Sequence, residues 1–166
     1  MKWLIGITII MAGALSAGEV VAQSKTANFK RVMLHEAGKA YLNYKSGQFI
    51  QSLEQGVHLT FVAEDEANNM EVKATKIVFD YTDSKDDSVS KMILTGDVII
   101  RNAELQIEAP KAIINIVTMN AEFIGESKII RENGEVGYAE SIQIDLDTGM
   151  IEMDKLRIDN LELIKK

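Results

Sequence analysis

The chain has no cysteine and a single proline, Pro110, among its 166 residues. Without cysteine there are no disulfides, no thiol chemistry and no thiolate metal sites, so the fold must hold itself together by burial and ladder hydrogen bonds. One proline rules out a Pro-rich stalk. Aromatic residues are few, at 6%. Ile, Val, Leu and Met supply most of the apolar mass, and the β-branched share of it favours strands. Positive charge is also short, with 18 Lys+Arg against 25 Asp+Glu and a net charge of −7. No basic cluster is present to displace counterions from phosphates, so nucleic acid is not an expected partner.

Catalytic signatures are missing too. There is no Gly-x-Ser-x-Gly, no His-Glu-x-x-His and no phosphate-binding glycine loop. His35 and His58 are the only histidines. No second His follows His35-Glu36 at helical spacing, so both read as ordinary strand or surface residues rather than metal ligands. The acidic groups Glu64-Asp65-Glu66 and Asp83 with Asp86-Asp87 fall in expected turns, as solvated loops rather than a pair of carboxylates facing each other across a cleft. The second of these turns leaves room for no more than a weak divalent-cation site. No enzyme activity, cofactor or metal is expected.

What is present begins with an export signal. Lys2 precedes an apolar run from Trp3 to Ala17, and Val20-Val21-Ala22 fits a signal-peptidase site. The run is shorter than the roughly 20 apolar residues of a spanning helix. Residues 1–22 are expected to be removed, leaving a single domain over 23–166 that begins at Gln23. An uncleaved anchor is the alternative. An exported, acidic, soluble chain points to a bacterial envelope compartment.

The rest alternates apolar and polar residues at period two, the strand signal. It also repeats. Four segments align, opening on Ala37, Ala74, Ala109 and Ala139, with starts 37, 35 and 30 residues apart. Each carries Asn or Asp at its seventh position: Asn43, Asp80, Asn115 and Asp145. The alternation slips by one residue near the opening Ala, as where Val72 and Ala74 give way to Ile77, Phe79 and Tyr81. Such a slip marks a bulge or corner at which the strand bends and keeps one face inward. Pro110 sits at one of these corners.

A lone hairpin cannot bury its own apolar face, but stacked hairpins can. The expected fold is all-β: repeated antiparallel hairpins forming a twisted jelly roll, or folded-over sheet, around an open apolar groove. Its lining is expected to be Leu42, Tyr44, Val72, Ile77, Phe79, Met92, Leu94, Leu105, Ile107, Ile114, Ile116, Phe123, Ile142, Ile144, Leu146, Ile151 and Met153. Lys76, Asp80, Lys111, Glu122 and Asp145 are expected outside. The same alternation also fits a closed, fully packed sandwich.

Two segments carry a resemblance. Leu94-Thr-Gly-Asp-Val-Ile-Ile-Arg101 and Gly137-Tyr-Ala-Glu-Ser-Ile-Gln-Ile-Asp-Leu-Asp-Thr-Gly149 resemble the hairpin pattern of the OstA-like superfamily, from about Gln55 to Met153, and within it the LptA-type periplasmic proteins. The resemblance implies a β-jelly roll open at both ends that holds the acyl chains of lipopolysaccharide (its lipid A part) and bridges the inner and outer membranes. It implies inner-membrane LptC-like and outer-membrane LptD-like partners of the same fold. An LptC-like anchored receptor is the sibling reading, and a packed β-scaffold that joins partners by strand addition is the non-lipid one. A stack that does not close also ends in two unpaired edges, about Phe29 to Leu34 and Met150 to Ile164. These could pair head to tail as a homo-oligomer.

Overall fold

The computed structural model describes residues 10–11, 19–21, 29–43, 45, 50–64, 66, 69–83, 86–146 and 148–158. The expected signal segment lies largely outside them, as do Tyr44 and the last eight residues. Eleven strands are present among the described residues: β1 (Ile10–Met11), β2 (Glu19–Val21), β3 (Phe29–Leu42), β4 (Ile50–Ala63), β5 (Met70–Asp83), β6 (Asp86–Arg101), β7 (Leu105–Asn115), β8 (Asn120–Arg131), β9 (Val136–Asp145), β10 (Ile151–Asp154) and β11 (Arg157–Ile158). They form one antiparallel sheet in chain order, with β10 and β11 both on the outer edge of β9.

A line of register shifts crosses this sheet. It runs between Ala37 and Lys39, Glu54 and Val57, Lys73 and Lys76, Thr95 and Val98, Glu108 and Lys111, and Ile124 and Ser127. Every long strand therefore bends at one level. The repeat Ala residues Ala37, Ala74, Ala109 and Ala139 mark the bend on β3, β5, β7 and β9. The strands between them bend through residues in the left-handed region: Gln55 and Gly56 (φ 65° and 82°), Gly96 and Asp97 (76° and 47°), and Gly125 (92°). At two of these crossings a side chain leaves no room. A Cβ on Gly96 would lie 2.6 Å from Thr75 Oγ1, and one on Gly125 would lie 3.1 Å from Pro110 Cγ.

The bend turns one sheet into two facing layers. Inward residues line up across strands: Leu34, Leu59, Val72, Ile100, Ile107, Ile129 and Gly137 in one layer, and Leu53, Ile77, Leu94, Ala112, Phe123, Ile142 and Met153 in the other. Val72, Ile77, Leu94, Ile107, Ala112 and Ile142 are fully buried. Side chains from both layers reach that state only if each layer covers the other, and they belong to one continuous core. Ala112 opposite Phe123 shows large and small side chains interlocking.

The repeated Asn or Asp at the seventh position closes turns. Asn43 Oδ1 accepts from the backbone N–H of Lys45, Asn115 Oδ1 from those of Val117 and Thr118, and Asp145 Oδ1 from that of Thr148. Asp80 lies within β5 instead and faces Lys91 at 3.7 Å. Here the structure departs from expectation. The turn expected over Thr82 to Ser90 is mostly strand, with Asp83 paired to Asp86. Burial of Val89 at 2% exposure draws the hairpin out to this length.

The outer face carries cross-strand ion pairs: Glu54 with Lys76 at 2.6 Å, Glu108 with Lys128 at 3.6 Å, and Glu71 with Arg101. Glu71 also takes Lys73 at 3.3 Å. Burial opposes the charged form of Glu71, but the hydrogen bonds and charges of Arg101 and Lys73 outweigh it and hold the carboxyl below its usual value. A lowered carboxylate contributes stability above its unfolded pKa of about 4.3, and that share is lost as pH falls through the folded value. Glu71→Gln should therefore flatten the acid limb of stability against pH, while costing no more than about 1 kcal/mol near neutrality. Urea unfolding between about pH 3 and 7 checks this.

Candidate lipid-binding interior

The interlayer space is where a ligand of apolar character can be held, and its state varies along the stack. Of the residues expected to line it, Val72, Ile77, Leu94, Ile107, Ile142, Phe123, Met92, Ile114, Ile116 and Phe79 point inward and are buried. Leu105, Ile144, Leu146, Ile151 and Met153 are partly buried and pack against that core. Leu42 does not line the interior. It is 46% exposed at the C-terminal end of β3, well past the Val32 and Met33 positions that pair with β2. Tyr44 lies outside the described residues. Leu53, Val57, Leu59, Phe61, Val98, Ile100 and Ile129 are interior residues that sequence reasoning left out. Alternation in β4 and in the second half of β6 was the signal that could have found them.

Over β4 to β8 the two layers are closed on each other and filled by side chains. At the β9–β11 end they are not. There a cleft of about 430 Å³ lies between the layers. Leu105, Ile129, Val136 and Ile158 line it from one layer and Ile151 and Met153 from the other, with Leu156 between them. Glu104, Arg131 and Glu135 form its rim, with Arg131 held 3.2 Å from Glu135. Met150, Leu156 and Ile158 stand 69%, 45% and 39% exposed at this same end. Exposed apolar side chains beside an apolar cleft are the arrangement a binding site for an apolar ligand requires.

Polar groups inside are few. Ser127 is fully buried, and its hydroxyl donates to the Gly125 carbonyl at 2.8 Å, so it is satisfied within the bend. Tyr81 donates its hydroxyl to the Ile50 carbonyl, tying the far end of β5 to the start of β4. His35 and His58 lie on β3 and β4 with ring centroids 4.6 Å apart. His58 Nε2 approaches Glu71 Oε1 at 2.7 Å without the geometry of a hydrogen bond. No group of three or more His, Asp or Glu that could hold a metal occurs among the described residues.

No family model matches the chain. Its sequence is 27% identical over 121 residues to the LPS-assembly protein LptD of Pseudomonas entomophila (strain L48), covering 73% of this chain and 11% of that protein. The chain thus spans a small part of the length of the curated relative it matches. Its structure is similar to that of LptH from Pseudomonas aeruginosa, described as the LptA-homologous periplasmic component of the lipopolysaccharide transport device. That similarity has a TM-score of 0.62 at 11% identity and covers 82% of this chain and 99% of the other. The fold expected is the fold observed, an all-β, antiparallel, folded-over sheet that does not close among the described residues, and it is similar to that of LptH.

Proposed function

We propose that the chain is a periplasmic component of lipopolysaccharide transport, a carrier that holds the acyl chains of its cargo between the two layers and bridges the inner and outer membranes. The observation that carries this reading is the interlayer space itself. It is apolar along its whole length, sealed in the middle and open at the β9–β11 end. Each methylene moved from water into such a space contributes roughly 0.8 kcal/mol. A lipid with several long chains therefore gains much from it, while its headgroup stays in water. No bond is made or broken in that passage, and energy for it comes from elsewhere. The fold likeness to LptH and the sequence match to LptD support a place in lipopolysaccharide transport, and an LptC-like anchored receptor of the same pathway is the alternative. Native mass spectrometry of the purified domain mixed with lipopolysaccharide tests it. A one-to-one complex is the expected result, and free protein alone across the soluble lipid range would overturn it.

Partners follow from the edges. β10 and β11 form one edge of the described sheet and β1, paired to β2 and through it to β3, the other; loss of the expected signal segment 1–22 would take β1 and β2 away and leave β3 as that edge. We propose that such edges join this chain to inner-membrane LptC-like and outer-membrane LptD-like domains of the same fold, or to copies of itself, head to tail. Deleting residues after Met153 should abolish any rise of mass with concentration seen by light scattering in the full chain. An unchanged rise would exclude this edge.

A further inference from the structure

Residues 37–53 carry Lys39 and Lys45 and no Asp or Glu, in a chain that has 25 of them. This stretch runs from the second half of β3 to the start of β4, in the layer away from the β2 pairing at Val32 and Met33. Successive side chains of a strand point to opposite faces, so Tyr41 and Leu42 leave β3 on its two sides. Both are exposed, and so are Lys39 and Lys45. Lys39 Nζ lies 5.0 Å from the centre of the Tyr41 ring, which holds a cation and an aromatic face together. Glu54, the carboxylate that pairs with Lys39 across the ladder, is itself engaged with Lys76 at 2.6 Å.

Charge is distributed unevenly around this corner. The turns at the opposite ends of the strands are acidic, with exposed Glu64, Glu66, Glu104 and Glu132 after β4, β6 and β8. On the Tyr41 side the β5–β6 tip carries Asp83 and Asp86, two strands in from β3. Any anionic surface is therefore met at the β3 corner and not along the whole rim. An aromatic and an aliphatic side chain flanked by lysines suit the headgroup boundary of a bilayer. The ring and the aliphatic chain enter it, while the ammonium groups stay with the lipid phosphates. A flat protein face covers one side of a strand end. A fluid boundary takes both sides at once, as a pair of exposed side chains on opposite faces demands.

We propose that this corner is a contact site for the surface of an anionic phospholipid bilayer. Tyr41 and Leu42 enter the headgroup region, and Lys39 and Lys45 pair with lipid phosphates. The contact is separate from the interlayer space and does not depend on what that space carries. It turns the acidic rim away from the membrane.

The test is made in the full chain with Trp3→Phe, which removes its only tryptophan, and Tyr41→Trp as the reporter. The probes are phosphatidylcholine vesicles with brominated acyl chains, with and without phosphatidylglycerol. Tyr138→Trp, on β9 in the facing layer, is the reference position. Fluorescence at position 41 is expected to be quenched on the anionic vesicles, and that at position 138 is not. Lys39→Gln together with Lys45→Gln should raise the lipid concentration for half-quenching about thirtyfold at low salt. Circular dichroism checks that the reporter variant stays folded, and Leu42→Trp replaces Tyr41→Trp if it does not. Equal quenching at 41 and 138 would overturn the contact, as would quenching at 41 that loss of both lysines leaves unchanged. No quenching on either kind of vesicle would overturn it as well and leave the corner to a protein partner.

Discussion

Ile114→Asp should abolish lipopolysaccharide binding and lower the stability of the fold by several kcal/mol, on the order of 3–5. Ile114 is 3% exposed near the middle of the stack, with Met92 on β6 and Ala121 on β8 as its inward neighbours. Neither offers a charge or a hydrogen bond. A carboxylate there must stay ionised and unpaired among apolar atoms, or take up a proton at a cost of its own. Lys111→Asp, three residues earlier on the same strand, is the control. Its side chain belongs to the outer face, where a substitution away from special contacts changes stability by about 0.5 kcal/mol or less. Urea unfolding and lipid binding measured on both variants check the assignment of faces. Equal losses from the two would show that it is wrong.

Gly96→Val should be about as damaging, through backbone rather than charge. A β-branched residue at φ 76° costs roughly 1–3 kcal/mol in strain. Its Cβ also meets Thr75 Oγ1 at 2.6 Å and Thr75 Cβ at 2.7 Å, and forcing atoms into such a contact adds about 1–3 kcal/mol. Gly134 separates the two effects. It has a φ of 85°, and a Cβ added there would meet nothing within 4 Å, so Gly134→Val should show the strain alone. Thr75→Gly in the Gly96→Val background should return the steric part, giving a coupling of at least about 1 kcal/mol in a double-mutant cycle. Thermal unfolding of the four variants reads these differences. A Gly96→Val no worse than Gly134→Val would mean that the close crossing of β5 and β6 does not hold the bend.

Much of this architecture was legible because period-two alternation and its slips are direct consequences of pleat and bend. The four opening alanines mark the fold line on alternate strands, and the slip from Val72 and Ala74 to Ile77 and Phe79 is the register shift between Lys73 and Lys76. Three of the recurring Asn and Asp, Asn43, Asn115 and Asp145, found their role as turn caps only in three dimensions, while Asp80 lies within a strand. The intervening strands were less legible. β4, β6 and β8 cross the same line through Gly56, Gly96 and Gly125, and an isolated glycine in a strand signals a bulge without saying which neighbour it must admit. Alternation also names the inward face without saying whether a second layer fills the space above it. That is why Leu42 reads as interior yet ends exposed, and why the sealed middle and open end of the stack could not be told apart. The cleft depends on Lys155 in the left-handed region, at φ 52°, and on the pairing of Arg157 and Ile158 with β9, neither of which leaves a pattern in sequence.

The most direct measurement of the carrier claim compares two adjacent residues of β9. Ile144 faces the interlayer space, packed against the core, whereas Gln143 is exposed on the outer face. With a photo-crosslinking residue placed at each in turn and lipopolysaccharide added, the carrier reading expects adducts from position 144 and essentially none from position 143. Adducts of equal yield from both, or from 143 alone, would contradict it.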